Sequence, residues 1–210
     1  MTRISLALGA ALVSVLACQK APRQEPAAAG PAADSAPAGP AVDTPEWKIA
    51  AFTSAAPPEI GAAAAVMDWP DSTGGPMRQL RAGTNGWTCM PSTAVPAGVT
   101  TPAAAGPMCL DSIWMNWAAA WMSRTPPKVS GVGIGYMLKG DQGASNTNPF
   151  ATGPTPDNAW VVAGPHIMVL TPNAAQIAAL PTDPKTGGPW VMWKGTPYAH
   201  VMVPVAAGTQ

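Results

Sequence analysis

Residues 109–125, CLDSIWMNWAAAWMSRT, decide the fold class. Leu110, Ile113, Trp114, Trp117 and Trp121 recur at helical spacing, which makes one face of a helix apolar. Asp111 or Ser112 can cap its start and Pro126-Pro127 stop it, so the pattern predicts a helix over about 110–123. Arg124 and Lys128 suit the negative end of its dipole. Three tryptophans on one stripe could contact a sugar or a haem ring; a buried core face is the simpler account. Residues 130–140, SGVGIGYMLKG, carry the other period. Gly131, Gly133 and Gly135 fall on one face of a strand, and Val132, Ile134 and Tyr136 on the other. A glycine face lets a neighbour press close, and the tryptophan helix is the expected one.

Outward from this pair, strands dominate. Residues 160–170 predict a second long strand paired with 130–138. Thr171-Pro172 opens a short helix over about 172–180, and 189–193 with 198–203 form a hairpin around Gly195-Thr196-Pro197. Upstream, 57–69 reads as either a short helix or a strand ending at Pro70. Residues 77–81 and 87–90 predict a hairpin about Thr84-Asn85-Gly86, and 91–108 a proline-rich loop. No repeat of 20–50 residues is present. The expectation is a single α+β domain, mainly an antiparallel sheet with two helices.

That domain should run from about Pro45 to Val205, followed by a tail at 206–210. Before it, Pro, Ala and Gly dominate 19–44, which cannot bury enough surface to offset ordering entropy and reads as a disordered tether. Residues 1–18 hold one charge, Arg3, and an apolar run too short to span a membrane, as in a signal peptide. Val15-Leu16-Ala17-Cys18 resembles the lipobox of bacterial lipoproteins. That resemblance implies lipidation at Cys18 and export on a lipid anchor, with Gln19 implying the outer membrane in a Gram-negative cell. Cleavage to a soluble secreted form is the alternative.

Composition excludes some functions. Eleven basic and eleven acidic residues balance, which gives no electrostatic footprint for nucleic acid. Beyond Cys18, Cys89 and Cys109 make one pair, read as a disulfide in an oxidising compartment; as thiols beside Met90 and Met108 they could instead bind metal. No GxSxG is present, no motif orders Ser145, His166 and Asp141 into a hydrolytic set, and two histidines without an HExxH helix make zinc a poor fit. The glycine triplet is not a dinucleotide fingerprint, because position 136 is tyrosine. These readings lean away from catalysis, and an enzyme of unrecognised class stays open.

The sharpest chemical pattern occurs twice. GPHIMVL (164–170) and YAHVMVP (198–204) contain the protein's two histidines, His166 and His200, each followed two residues later by Met168 or Met202. On a strand each pair shares a face, and imidazole with thioether suits copper, cuprous copper above all. The pattern resembles the His-x-Met pairs of periplasmic copper-handling proteins. The four residues are the candidate metal ligands, with Trp190 or Met192 as a shield or further donor. Core packing is the competing account, since both methionines lie in apolar runs.

The second candidate is the 18-residue loop 141–158. Asp141, Asn146 and Asn148, with Trp160 beside them, could bind a sugar, peptide or envelope partner. The loop's oxygens do not have EF-hand spacing, and bonding within their own turns is the plainer expectation. Three stretches, LRAGTNGWTCMP (80–91), GASNTNPFATGPTPDNAWVV (143–162) and GGPWVMWKGTPYAHVMVPV (187–205), together with GPHIMVL, resemble exported bacterial proteins of unknown function. This resemblance implies export and one domain, and no activity. The function expected is a non-enzymatic binding module, with copper its most specific form.

Overall fold

In a computed structural model, residues 41–205 apart from Thr73 are described. The leader, Cys18, the tether up to residue 40 and the tail lie outside the described residues. Two helices open the fold, α1 (Pro45–Thr53) and α2 (Pro58–Ala63), followed by strands β1 (Ala65–Asp68), β2 (Arg78–Arg81), β3 (Thr88–Pro91) and β4 (Pro107–Leu110). After α3 (Ser112–Met122) come β5 (Gly133–Met137), β6 (Ala144–Ser145), β7 (Trp160–Val161), β8 (His166–Leu170), β9 (Trp190–Met192) and β10 (His200–Pro204). Eight strands make one sheet in the order β2-β1-β3-β4-β5-β8-β10-β9, and β6 pairs with β7 apart from it. Only β1 and β3 run parallel. The α+β class read from the sequence is the observed one. No described helix is long and apolar enough to cross a membrane.

Local chemistry sets the two longer helices. Thr44 Oγ1 accepts the Trp47 N–H at 3.2 Å, and Pro45 and Glu46 fill the first turn of α1. At α3, Asp111 accepts the Trp114 N–H with one carboxylate oxygen (2.8 Å) and the Ile134 N–H of β5 with the other (2.6 Å). One side chain thus caps the helix and fixes it to the sheet. Arg124, at φ 54°, ends α3 in the left-handed region, with Thr125 N–H bonded to the Ala120 carbonyl at 2.9 Å.

The sheet has two unlike faces. On one, Val66, Cys89 and Cys109 pack under Trp47, Ala51 and Phe52 of α1, and the Cys89–Cys109 disulfide joins directly opposed residues of β3 and β4. Lys48 of α1 and Arg78 of β2 both pair with the buried Asp68 at the end of β1, at 3.1 and 2.6 Å. Further along the same face, Val169, Val191 and Val201 pack with Ile177. The other face carries Leu110, Met137, Met168, Leu170 and Met202 under Trp114 and Trp117 of α3. The glycine strand permits this approach. A Cβ on Gly133 would stand 3.0 Å from Ile113 Cγ2, and one on Gly135 2.9 Å from both Leu110 Cδ2 and Met168 Cε.

Four local expectations differ from the structure. Residues 57–69 hold both a helix and a strand. Strands β2 and β3 do not pair with each other; β1 lies between them, bonded to both. The connection passes the start of β1, where Thr84 N–H bonds the Ala63 carbonyl and Ala65 N–H the Trp87 carbonyl, each at 2.8 Å. The long strand over 160–170 is broken. Val161 pairs with Ala144, Ala163 exchanges bonds with Asp141, and Pro165, which lacks an N–H, precedes the pairing of β8 with β5. The predicted helix over 172–180 is a single 3₁₀ turn, Ala174–Ile177, capped by Asn173.

Candidate functional site

Cross-strand register brings the sulfur and imidazole side chains together. Residues directly opposite in an antiparallel pair share a face. Met90 stands opposite Met108, Met137 opposite His166, Met168 opposite Met202, and His200 opposite Met192. Met67 and Met77 extend the row toward the sheet edge, and Met115 and Met122 reach it from α3. All ten methionines after Met1, with both histidines, line one cavity of about 700 Å³. It descends from a rim where Met122 is 45 % exposed to a floor where His166 is 1 % and Met202 2 % exposed.

The two histidines are held alike. His166 Nδ1 lies 2.6 Å from the carbonyl oxygen of Gly164, and His200 Nδ1 3.0 Å from that of Tyr198, two residues back in each case. A carbonyl only accepts, so Nδ1 carries the proton and Nε2 keeps its lone pair. Burial pulls His200 down to about 4; the Tyr198 carbonyl works against the shift and His166 adds to it. Burial also lowers His166, opposed by the Gly164 carbonyl and the Asp141 carboxylate. Both rings are therefore neutral at pH 7. The His166 Nε2 is buried without any hydrogen-bond partner. This is the state in which imidazole ligates a metal, with its other nitrogen fixed by a carbonyl.

The four residues singled out from the sequence share this face, with Met168 and Met202 together at its centre. His166 faces Pro204, four residues beyond His200, which offsets the two backbone positions by about 13 Å along the strands. Each histidine has a methionine of its own across the ladder, Met137 for His166 and Met192 for His200. His200 sits among three indoles, with ring centroids 5.2 Å from Trp114, 5.7 Å from Trp117 and 5.0 Å from Trp193, all near perpendicular.

Sequence reading missed Trp193. Its φ of 56° is unusual for a bulky residue. It is held there by its N–H to the Asn146 carbonyl (2.9 Å) and its Nε1–H to the Ser145 carbonyl (2.6 Å). The signal was the Trp193-Lys194-Gly195 step at a hairpin turn. Met137 was also missed, because its role depends on register with His166. Trp190 lies beside Met202, buried, with its Nε1 unpartnered.

The 141–158 loop is a wall of this cavity. Asp141 accepts the N–H groups of Gly143 and Ala163, each at 2.9 Å. Burial raises its carboxyl pKa; these bonds and His166 oppose the rise. Asn146 Nδ2 donates to the Thr182 carbonyl (2.7 Å), Asn148 Oδ1 accepts the Phe150 N–H (2.9 Å), and Trp160 closes over Gly143. The bonds to Gly143 and Phe150 lie within the loop's own turns, those to Ala163 and Thr182 tie it to neighbouring segments, and Asn146 Oδ1 is buried without a partner. Trp121 pins the loop to α3 through Nε1–H to the Pro149 carbonyl (2.9 Å), and Arg124 lies 4.7 Å over the Phe150 ring. Residues 147–158 also cup a shallower depression of about 470 Å³.

The donor set is chemically narrow. Cys89 and Cys109 are in a disulfide, so neither supplies a thiolate. Among the described residues no three His, Cys, Asp or Glu side chains gather as a metal site. What converges is neutral thioether and neutral imidazole, and among the described residues the lining carries one acid, Asp141, and one cation, Arg124, whose charges offset. Desolvating an ion costs in proportion to the square of its charge, so a neutral cavity favours a monovalent over a divalent ion. Comparisons of the chain with protein-family profiles, curated proteins and solved structures returned no match.

Proposed function

We propose that this chain is a cell-envelope lipoprotein that binds cuprous copper in the methionine cavity, without catalysing a reaction on it. The observation supporting this is the convergence of ten thioethers and both histidines on one cavity, each imidazole with Nδ1 fixed by a carbonyl and the His166 Nε2 buried without a partner. Thioether and imidazole are the donors that select cuprous copper, and the apolar lining disfavours the divalent ion. The lipid anchor is supported by the lipobox-like sequence ending at Cys18. Anaerobic titration of the purified full-length chain with cuprous ion tests the reading. At least one ion per chain should resist a competing chelator, and His166→Ala should weaken its retention at least tenfold. Stoichiometry well below one would overturn it.

The size of the cavity favours a second reading. At about 700 Å³ it falls within the range of pockets for small organic molecules. A metal-free module would seat an apolar ligand against the methionines and indoles, with the 141–158 loop as its wall. Such a ligand should quench tryptophan fluorescence and be displaced when residues 147–155 are trimmed, with the histidine variant indifferent.

A further inference from the structure

We infer that the cavity has a second soft-ion site, made of thioethers alone, at the β3–β4 end, for a monovalent ion such as cuprous copper or silver. This rests on the cuprous reading of the histidine end. Met90 and Met108 are directly opposed, and Met90 is 3 % exposed. Met67 adjoins Met90, because Val66 partners Cys89 in the parallel β1–β3 ladder. Met137 adjoins Met108, because Cys109 partners Tyr136. Four thioethers therefore neighbour one another on one face, all lining the cavity. The facing side of each strand explains why they are there: Cys89 and Cys109 point into the α1 layer to form the disulfide, so the next residue of each strand, Met90 or Met108, points into the cavity.

Leucine would pack such a face as well, with a better defined rotamer. Methionine at every one of these positions adds a soft donor that leucine lacks. The site is separated from the His166 end by two strand spacings, about 10 Å, with Met137 standing opposite His166 and beside Met108. Met137 can thus serve either ion. Two monovalent ions about 10 Å apart at an effective dielectric of about 20 repel enough to weaken the second roughly 15-fold. The all-thioether site, with no imidazole, should be the weaker.

The test is an anaerobic titration of the full-length chain with cuprous ion and, separately, silver, omitting thiol reductants so that the disulfide survives. Copper-edge X-ray absorption at one and two equivalents reads the donors. The expected result is two ions, the second in a sulfur-only shell, and one ion when Met90→Leu and Met108→Leu are combined. His166→Ala should instead remove or weaken the first and leave the sulfur-only ion. Should the double variant fold poorly, Met108→Leu alone should weaken the second ion at least tenfold. One ion in the unaltered chain, lost in His166→Ala, would overturn the second site and leave the proposed function standing. Two ions in the chain carrying both leucines would also overturn it. No ion at all would overturn both.

Discussion

The two faces of the sheet are built from the same strands and differ in almost everything else. Under α1 the face is alanine, valine and aromatic rings without methionine or histidine, bridged by a disulfide, and closed: Val66, Phe52, Cys89 and Cys109 are all fully buried. Under α3 it is methionine, indole and imidazole, and a cavity remains between the layers. A chain able to close one face could have closed the other with the same residue types. The difference indicates that the first face supplies stability and the second gives some of it up for a receptive space. Three of the four buried side-chain atoms left without partners among the described residues fit that division: His166 Nε2 and the Nε1 atoms of Trp117 and Trp190 lie on the α3 side, and the fourth, Asn146 Oδ1, belongs to the 141–158 loop.

Truncation on the closed face should break the comparison most sharply. Phe52→Ala should cost about 3–5 kcal/mol, because the disulfide-bridged strands beside it leave little room to collapse. Denaturant unfolding reads the loss, and copper binding by the fraction still folded should be unchanged. A fall in copper affinity would mean that the two faces are coupled.

Acid should act on the open face. His200 has its pKa lowered to about 4 in the folded protein, against 6.5 for the free side chain. Below about pH 6.5 the unfolded chain takes up a proton that the folded chain refuses. Stability is therefore whole above that pH, falls as the pH drops toward 4, and levels off beyond. The shift corresponds to roughly 3 kcal/mol for the ion-free protein. His166, also lowered, acts in the same direction. Asp141, raised by burial, acts in the opposite one, since the folded chain protonates it more readily. Urea unfolding at pH 7 and pH 4.5 measures the net effect, and His200→Gln should remove most of the dependence. An unchanged slope in that variant would place the acid sensitivity elsewhere.

How much of this was legible depended on whether a signal was local. The α3 helix could be read directly, since Trp114, Trp117 and Trp121 mark its face and Asp111 its start, and so could the β9–β10 hairpin. The α1 helix carries Thr44, Pro45 and Glu46 at its start, but Lys48 and Ile49 follow Trp47 without a clear apolar stripe. The β2-β1-β3 order could not be read, because it rests on Ala65 meeting Trp87 across 22 residues while a tight turn suggested a simple hairpin. The repeated His-x-Met pairs were visible in the sequence. Met192 was visible too, as a shield or further donor on the adjoining strand, whereas Met137 became a ligand candidate only once strand register placed it opposite His166.

The smallest stability effect should come from the residues that matter most to the proposed function. Leucine and methionine have similar volume, so Met168→Leu and Met202→Leu should each cost under about 1.5 kcal/mol. Cavity and packing are retained, and only the sulfur is lost. If the open face exists to hold a soft ion, each variant should unfold near the parent midpoint yet release cuprous copper to a chelator at least tenfold more readily. If the methionines are core and nothing more, stability and retention should move together or not at all. Measuring both on the same preparations therefore separates thioether as donor from thioether as filler, which packing alone cannot do at Met168 and Met202.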